Sequence, residues 1–351
     1  MKDLEGARWT AERARAWEQA RGWRVGCNFV PSSASNAIEM WRAETFDLPT
    51  IERELGWSAT LGFTSHRVFL HDLVWDEDAS GLLERIDAFL AAAARSGLSI
   101  LPVLFDGVWN PHPRAGPQPE PKARVHNAGW VQGPGAAVLA DPARQDALEA
   151  YVSGVLDRFR DDVRIDGWDL FNEPDNPNLA YAKVEIPDKA DRALELARKT
   201  LAWARAIDPS QPLTIGVYRG AWAAGEDDYS ELNRFSLENS DVISYHWYGP
   251  LDEMERRVAA LRRFERPIRC TEFMARGLGS CFDPQLRWLR DAGVGAYCWG
   301  FVQGRIQTEY PWDSWVKTYE GEPEPWFHDV LRRDGSPYRE EEVAYIRSLT
   351  R

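Results

Sequence analysis

Short runs rich in apolar and β-branched residues recur along the chain, separated by longer segments whose apolar positions repeat with helical spacing. The short runs predict strands at residues 24–30, 66–71, 99–105, 165–171, 213–218, 242–247, 267–271 and 295–301. The longer ones predict helices at 48–61, 81–96, 142–160, 189–207, 231–238, 252–264, 284–291 and 340–349. Asp141 and Asp283 each precede a proline at such a start, where the carboxylate accepts free amides and proline takes the first helical position. Strands followed one by one by helices are parallel βα units, and eight of them close a barrel rather than an open sheet. The predicted fold class is α/β, a single (β/α)8 TIM barrel, with residues 1–351 as one domain.

Two connections are too long to be mere links: 106–140 after the third strand and 303–326 after the eighth, both rich in Pro, Gly and aromatic residues. Long loops after strand C-termini are where barrels build their sites, so these are expected to wall one. The formal charge of -13 argues against nucleic acid or an anionic membrane as partner and favours a neutral ligand. Residues 1–24 contain no apolar signal-type core, and nowhere do apolar residues run long enough to span a bilayer. Cys27, Cys270, Cys281 and Cys298 are too scattered for a disulfide framework or a zinc site, so a cytoplasmic protein with reduced thiols is expected. Seventeen tryptophans offer flat apolar faces of the kind that stack on sugar rings as well as fill cores.

The chemistry sits at two strand ends. The fourth strand delivers Asn172 and Glu173 just as Pro174 breaks it, and the seventh delivers Glu272 after the apolar approach to Thr271. Two glutamates at one barrel mouth suit glycosidic cleavage, in which one carboxylic acid protonates the leaving oxygen and one carboxylate meets the developing oxocarbenium ion. Across a barrel mouth such residues approach to roughly 5–5.5 Å, a separation that implies a covalent intermediate and retention of configuration.

Asn172-Glu173-Pro174 after strand four and Thr271-Glu272 after strand seven resemble the superfamily of retaining barrel glycosidases with that placement, family five above all. Residues 45–75, 119–130 and 308–315 resemble bacterial proteins called cellulase-like or xylanase-like. The resemblance implies Glu173 as acid/base, Glu272 as nucleophile and Asn172 as donor to the hydroxyl beside the reacting carbon. It matches Arg67 and Tyr248 to groups supporting the nucleophile, His246 to a bond with the sugar or the acid/base, and Trp299 to the platform under the innermost sugar. Trp75, Trp109 and Trp130 are further rim candidates. Where the family often carries a sugar-binding His after strand three, this chain has Asp106, an acceptor in place of a potential donor, which departs from the usual cellulase and mannanase pattern.

Other residues read as structural. Asp175 and Asn176 are expected to form the turn, His66 and His71 to be ordinary strand-end residues, and Cys27, Cys270 and Cys298 to be small core hydrophobes on neighbouring strands. Trp17, Trp203 and Trp288 fall in helical patterns and are expected to pack. The resulting expectation is a retaining O-glycoside hydrolase acting on a small β-linked oligosaccharide or glycoside, exo-acting if the long loops close one end of the cleft, with no cofactor and no metal. Competing readings are a transglycosidase using the same glutamates and a non-catalytic carbohydrate-binding barrel.

Overall fold

The computed structural model describes residues 8–219 and 229–351; the start of the segment 1–24 read above lies outside them. Eight parallel strands form the centre: β1 Val25–Asn28, β2 Ser65–Phe69, β3 Ser99–Asp106, β4 Trp168–Asn172, β5 Leu213–Gly216, β6 Ile243–His246, β7 Ile268–Phe273 and β8 Gly295–Trp299. They pair in the order β5-β4-β3-β2-β1-β8-β7-β6. The last seam closes where Val217 N donates to Ser244 O at 3.2 Å and His246 N to Val217 O at 3.1 Å. All eight predicted strands are present, each within a few residues of its predicted bounds. Nearly every strand residue is buried, as expected of a parallel sheet covered by helices on its outer face.

The helical pattern is also present, with differences that have local causes. The helix predicted from residue 81 starts earlier, as Asp72–Arg95, and kinks at Asp78, whose carboxylate accepts from Gly81 N at 3.0 Å and so caps the second segment. The helix predicted over 142–160 is two, Pro142–Ala147 and Glu149–Arg158, with Leu148 between them. Three short or polar helices lie outside the predicted ranges, Ala11–Arg21, Ala37–Trp41 and Ala136–Leu139, although Trp17 in the first was read as part of a helical pattern. Ala11–Arg21 has only Ala14 buried, so no apolar stripe announces it. It lies across the N-terminal end of the barrel through polar contacts: Trp17 Nε1 donates to Asp166 O at 3.2 Å, and Glu18 pairs with Arg269. Asp166 meets Arg21, Arg24 and Arg269 at 3.1–3.4 Å, which plugs that end with charge instead of hydrocarbon. No helix among the described residues is long and apolar enough to cross a membrane.

The C-terminal ends of the strands are irregular where it matters. Register shifts fall between Asp169 and Asn172 on β4, between Tyr245 and His246 on β6, and between Cys270 and Phe273 on β7. Such bulges re-aim side chains that regular alternation would turn outward.

Candidate active site

Arg67, on β2, is the hub of the barrel mouth and is fully buried. Its Nη1 donates to Glu272 Oε1 at 2.7 Å and to Asn28 Oδ1 at 3.0 Å; its Nη2 donates to Asn172 Oδ1 at 2.6 Å and, with Nε, to Asp169 Oδ2 at 2.8 and 3.0 Å. Burial works against its charge, but Asp169 and Glu272 more than offset that and hold the guanidinium protonated. One cation thus ties together β1, β2, β4 and β7.

Glu272 also accepts from the Tyr248 hydroxyl at 2.6 Å. Burial, with the charge of Glu173, leaves its pKa raised on balance, although His246, Arg67 and the Tyr248 bond pull the other way. Glu173 lacks a comparable cation: its Oε2 accepts from Asn176 Nδ2 at 2.5 Å, and its Oε1 lies 2.6 Å from His246 Nδ1. Burial pushes the Glu173 carboxyl up to about 7, so near neutral pH it keeps its proton about half the time. The backbone at Glu173 has φ +41, a left-handed conformation rare for a residue with a side chain. His246 is held neutral, lowered to about 4 by burial. One oxygen of Glu173, one of Glu272 and a nitrogen of His246 all lie within 4.8 Å of one another.

Asp106 enters the site differently from the expectation of a free acceptor for sugar. Its Oδ1 accepts from Asn172 Nδ2 at 2.8 Å and from Val108 N at 3.1 Å, and its Oδ2 from Trp130 Nε1 at 2.6 Å. Both oxygens serve to orient Asn172 and to tether the loop after β3; burial raises the carboxyl to about 6. Trp130 and Trp299 meet edge to face at 5.9 Å and both line the cavity. Trp109 lines it too, stacked on Trp315 at 5.6 Å. Trp75 does not: it sits on the helix Asp72–Arg95 against Gly154 and Tyr151, packed between helices. Asn176, read as a turn former only, touches the Glu173 carboxyl as well.

The cavity has a volume of about 480 Å³. Its walls are the loops after β3, β4 and β8, which hold one another: Asn127 N donates to Ile306 O at 3.1 Å, Trp315 Nε1 to His126 O at 2.9 Å, and Tyr181 meets Trp315 edge-on at 5.2 Å. The connections predicted at 106–140 and 303–326 therefore both contribute to the cavity wall, as their length and composition implied. Several wall residues were given no role from the sequence, among them His126, Trp312 and Trp315, which lie in the stretches 119–130 and 308–315 noted above, and His328. Asn28 and Asp169 were legible in principle, as polar residues within otherwise apolar strand runs.

Cys27, Cys270 and Cys298 are free, buried and on adjacent strands, with Cys27 and Cys298 as register partners. His66 is buried among aromatics with its Nε2 2.6 Å from Ser58 Oγ, and His71 caps a helix by accepting from Leu73 N at 3.2 Å.

No family model and no curated protein matches the sequence. Solved structures do match. An exo-β-1,4-mannosidase from Opitutaceae bacterium strain TAV5 aligns at 18% identity and a TM-score of 0.61, over 94% of this chain and 59% of that one. GH5_18 from Streptomyces cattleya in complex with GlcNAc aligns at 16% identity and 0.58, over 94% and 79%. The endo-1,4-β-D-mannanase of Thermotoga petrophila RKU-1 aligns at 14% identity and 0.56, over 94% and 99%. This chain spans less than two thirds of the exo-mannosidase and nearly all of the endo-mannanase. The (β/α)8 barrel is the fold that it shares with these structures.

Proposed function

We propose that the chain is a retaining O-glycoside hydrolase in which Glu173 is the general acid/base and Glu272 the nucleophile. The observation that carries this reading is the unequal environment of two buried carboxyls in one cavity. Glu272 is bonded to a buried cation and a phenol, whereas Glu173 is bonded to neutral groups and is raised to about 7. The cation and phenol at Glu272, which have no counterpart at Glu173, favour the carboxylate there and leave the acid role to Glu173.

In the first step the protonated Glu173 gives its proton to the glycosidic oxygen as the bond to the anomeric carbon breaks. Glu272 then attacks that carbon from the opposite face to form a glycosyl ester. In the second step Glu173, now a carboxylate, takes a proton from water, whose oxygen displaces Glu272. Oxygens of the two carboxyls within 4.8 Å favour this route over an inverting one, which needs roughly 6.5–9.5 Å to admit a water. Asn172 keeps one amide hydrogen free after bonding Asp106, suited to the hydroxyl beside the reacting carbon. Trp299 offers the face on which the innermost sugar rests.

The substrate in this reading is a small β-linked oligosaccharide or glycoside. Because similar structures include a β-1,4-mannosidase and β-1,4-mannanases, β-mannosides are the class to try first. The interlocked walls favour exo action, and the free thiols suit a cytoplasmic protein. The test is hydrolysis of a panel of aryl α- and β-glycosides by the wild type, Glu173→Ala and Glu272→Ala. Turnover of a β-glycoside, lost in both variants, is expected; turnover that survives either substitution contradicts the assignment.

A further inference from the structure

His126, in the loop after β3, and His328, in the loop after β8, both line the cavity, and no step of the proposed hydrolysis uses them. Both are buried, with ring centroids 5.2 Å apart. Their hydrogen bonds fix where each proton resides. His328 Nδ1 lies 2.5 Å from Met274 O, and His126 Nδ1 lies 2.8 Å from Tyr310 O. A carbonyl oxygen can only accept, so each Nδ1 must carry the hydrogen. A neutral imidazole has one such hydrogen, which leaves Nε2 of both rings as a lone-pair acceptor. Nε2 of His328 is buried and meets no hydrogen-bond partner among the described residues.

We infer that His328, with His126 beside it, is a neutral acceptor pair that reads a hydroxyl group of the sugar bound in the cavity. The name given to the ligand rests on the glycosidase reading; the state of the two rings does not. Burial keeps both neutral, lowering His126 to about 3 and His328 well below the ordinary value, and a charge on either ring would oppose a charge on the other. Among the described residues no hydrogen bond reaches Nε2 of His328, and Arg276 gives its N–H groups to Glu342 and to main-chain oxygens, that of His328 among them. The Tyr248 ring is 5.6 Å away but gives its hydroxyl to Glu272, and Phe327 and Trp312 present ring faces or edges at 4.6 and 6.5 Å. An acceptor of this kind admits a donor such as a sugar hydroxyl. It has nothing to offer a carboxylate or a phosphate, in keeping with an uncharged substrate. Met274, held by the same ring, has φ +76 and follows Glu272 by two residues, so His328 also steadies the turn after β7.

Because of that second role, loss of activity in a His328 variant would not distinguish binding from positioning. A substrate-by-variant cycle does. Para-nitrophenyl β-D-mannopyranoside and β-D-glucopyranoside, each with its monodeoxy analogues, are assayed with wild type and with His328→Asn, whose amide nitrogen can still reach the Met274 carbonyl. The expected result is a loss on the order of tenfold in kcat/KM for one deoxy sugar with wild type, absent with His328→Asn, while the other deoxy penalties stay the same. Identical deoxy penalties in the two proteins would overturn the proposal and leave His328 as a positioning residue. Nitrogen NMR of histidine-labelled wild type gives a second reading that requires no variant and no turnover: both rings are expected neutral and protonated at Nδ1 near neutral pH. A proton on Nε2 of His328, or a charged ring, overturns the proposal even if every sugar is hydrolysed. Silence across the whole set with the expected nitrogen spectra would instead count against the glycosidase reading.

Discussion

Glu173 and Glu272 are chemically the same side chain, and the difference between them is made by neighbours: Arg67 and Tyr248 for one, Asn176 and His246 for the other. At Glu173 burial dominates, which has consequences for rate and for stability. Because the acid form is needed to protonate the leaving group, kcat/KM is expected to fall as pH rises past about 7. The folded-state value of about 7 lies above the ordinary 4.5, so the folded protein holds this proton more tightly than the unfolded chain does. Stability is therefore lost as pH climbs from about 5 to about 7, and Glu173→Gln, which cannot ionise, should avoid that loss. We expect Glu173→Gln to exceed wild type by on the order of 1–3 kcal/mol at about pH 8 and to match it near pH 5, as measured by chemical denaturation. Among residues, the two carboxyls that face one cavity were legible as a proposed catalytic pair, because Asn-Glu-Pro and Thr-Glu stand at strand ends. The support of Glu272 by Arg67 was implied as well, but the simultaneous bonds of Arg67 to Asn172 and Asp169 were not. Asn172 and Asp169 are three residues apart, which in a regular strand puts them on opposite faces, and only the register shift on β4 turns both toward the same guanidinium.

Among the elements, the strands are held at the mouth by that one cation. Removing it leaves two carboxylates, Asp169 and Glu272, buried without their countercharge. Arg67→Met is expected to cost about 3–5 kcal/mol in a urea titration, far more than the loss of packing alone, because breaking a buried pair strands a charge. The loops after β3 and β8 depend on each other in a similar way through Trp109, His126 and Trp315. Trp315→Ala should loosen this wall and raise KM several-fold with a smaller change in kcat, since its indole N–H is bonded to His126 O rather than to either carboxyl; a fall in kcat alone would contradict that role. The alternation of strand and helix was readable because burial on one side of a helix leaves a 3.6-residue trace. The helix Ala11–Arg21 left little such trace beyond Trp17, because it covers a charged plug formed by Asp166, Arg24 and Arg269 rather than hydrocarbon. Its role became visible only with the barrel closed beneath it.

For the whole molecule, one barrel end is plugged by ion pairs and the other opens on a cavity of about 480 Å³ whose walls clasp one another. The enclosure leads to a prediction about mode of action. An oligosaccharide blocked at its non-reducing end should resist cleavage while the unblocked one is shortened from that end, with products followed by chromatography; internal cuts in the blocked chain would refute exo action. The proposal as a whole turns on a covalent bond to Glu272. Incubating the protein with an activated 2-deoxy-2-fluoro glycoside of the sugar it hydrolyses, followed by mass spectrometry of the peptides, measures that bond. The account predicts one glycosyl adduct per chain, carried by Glu272 and absent from Glu272→Ala. An adduct on another residue, or hydrolysis with inversion and no adduct, would contradict it.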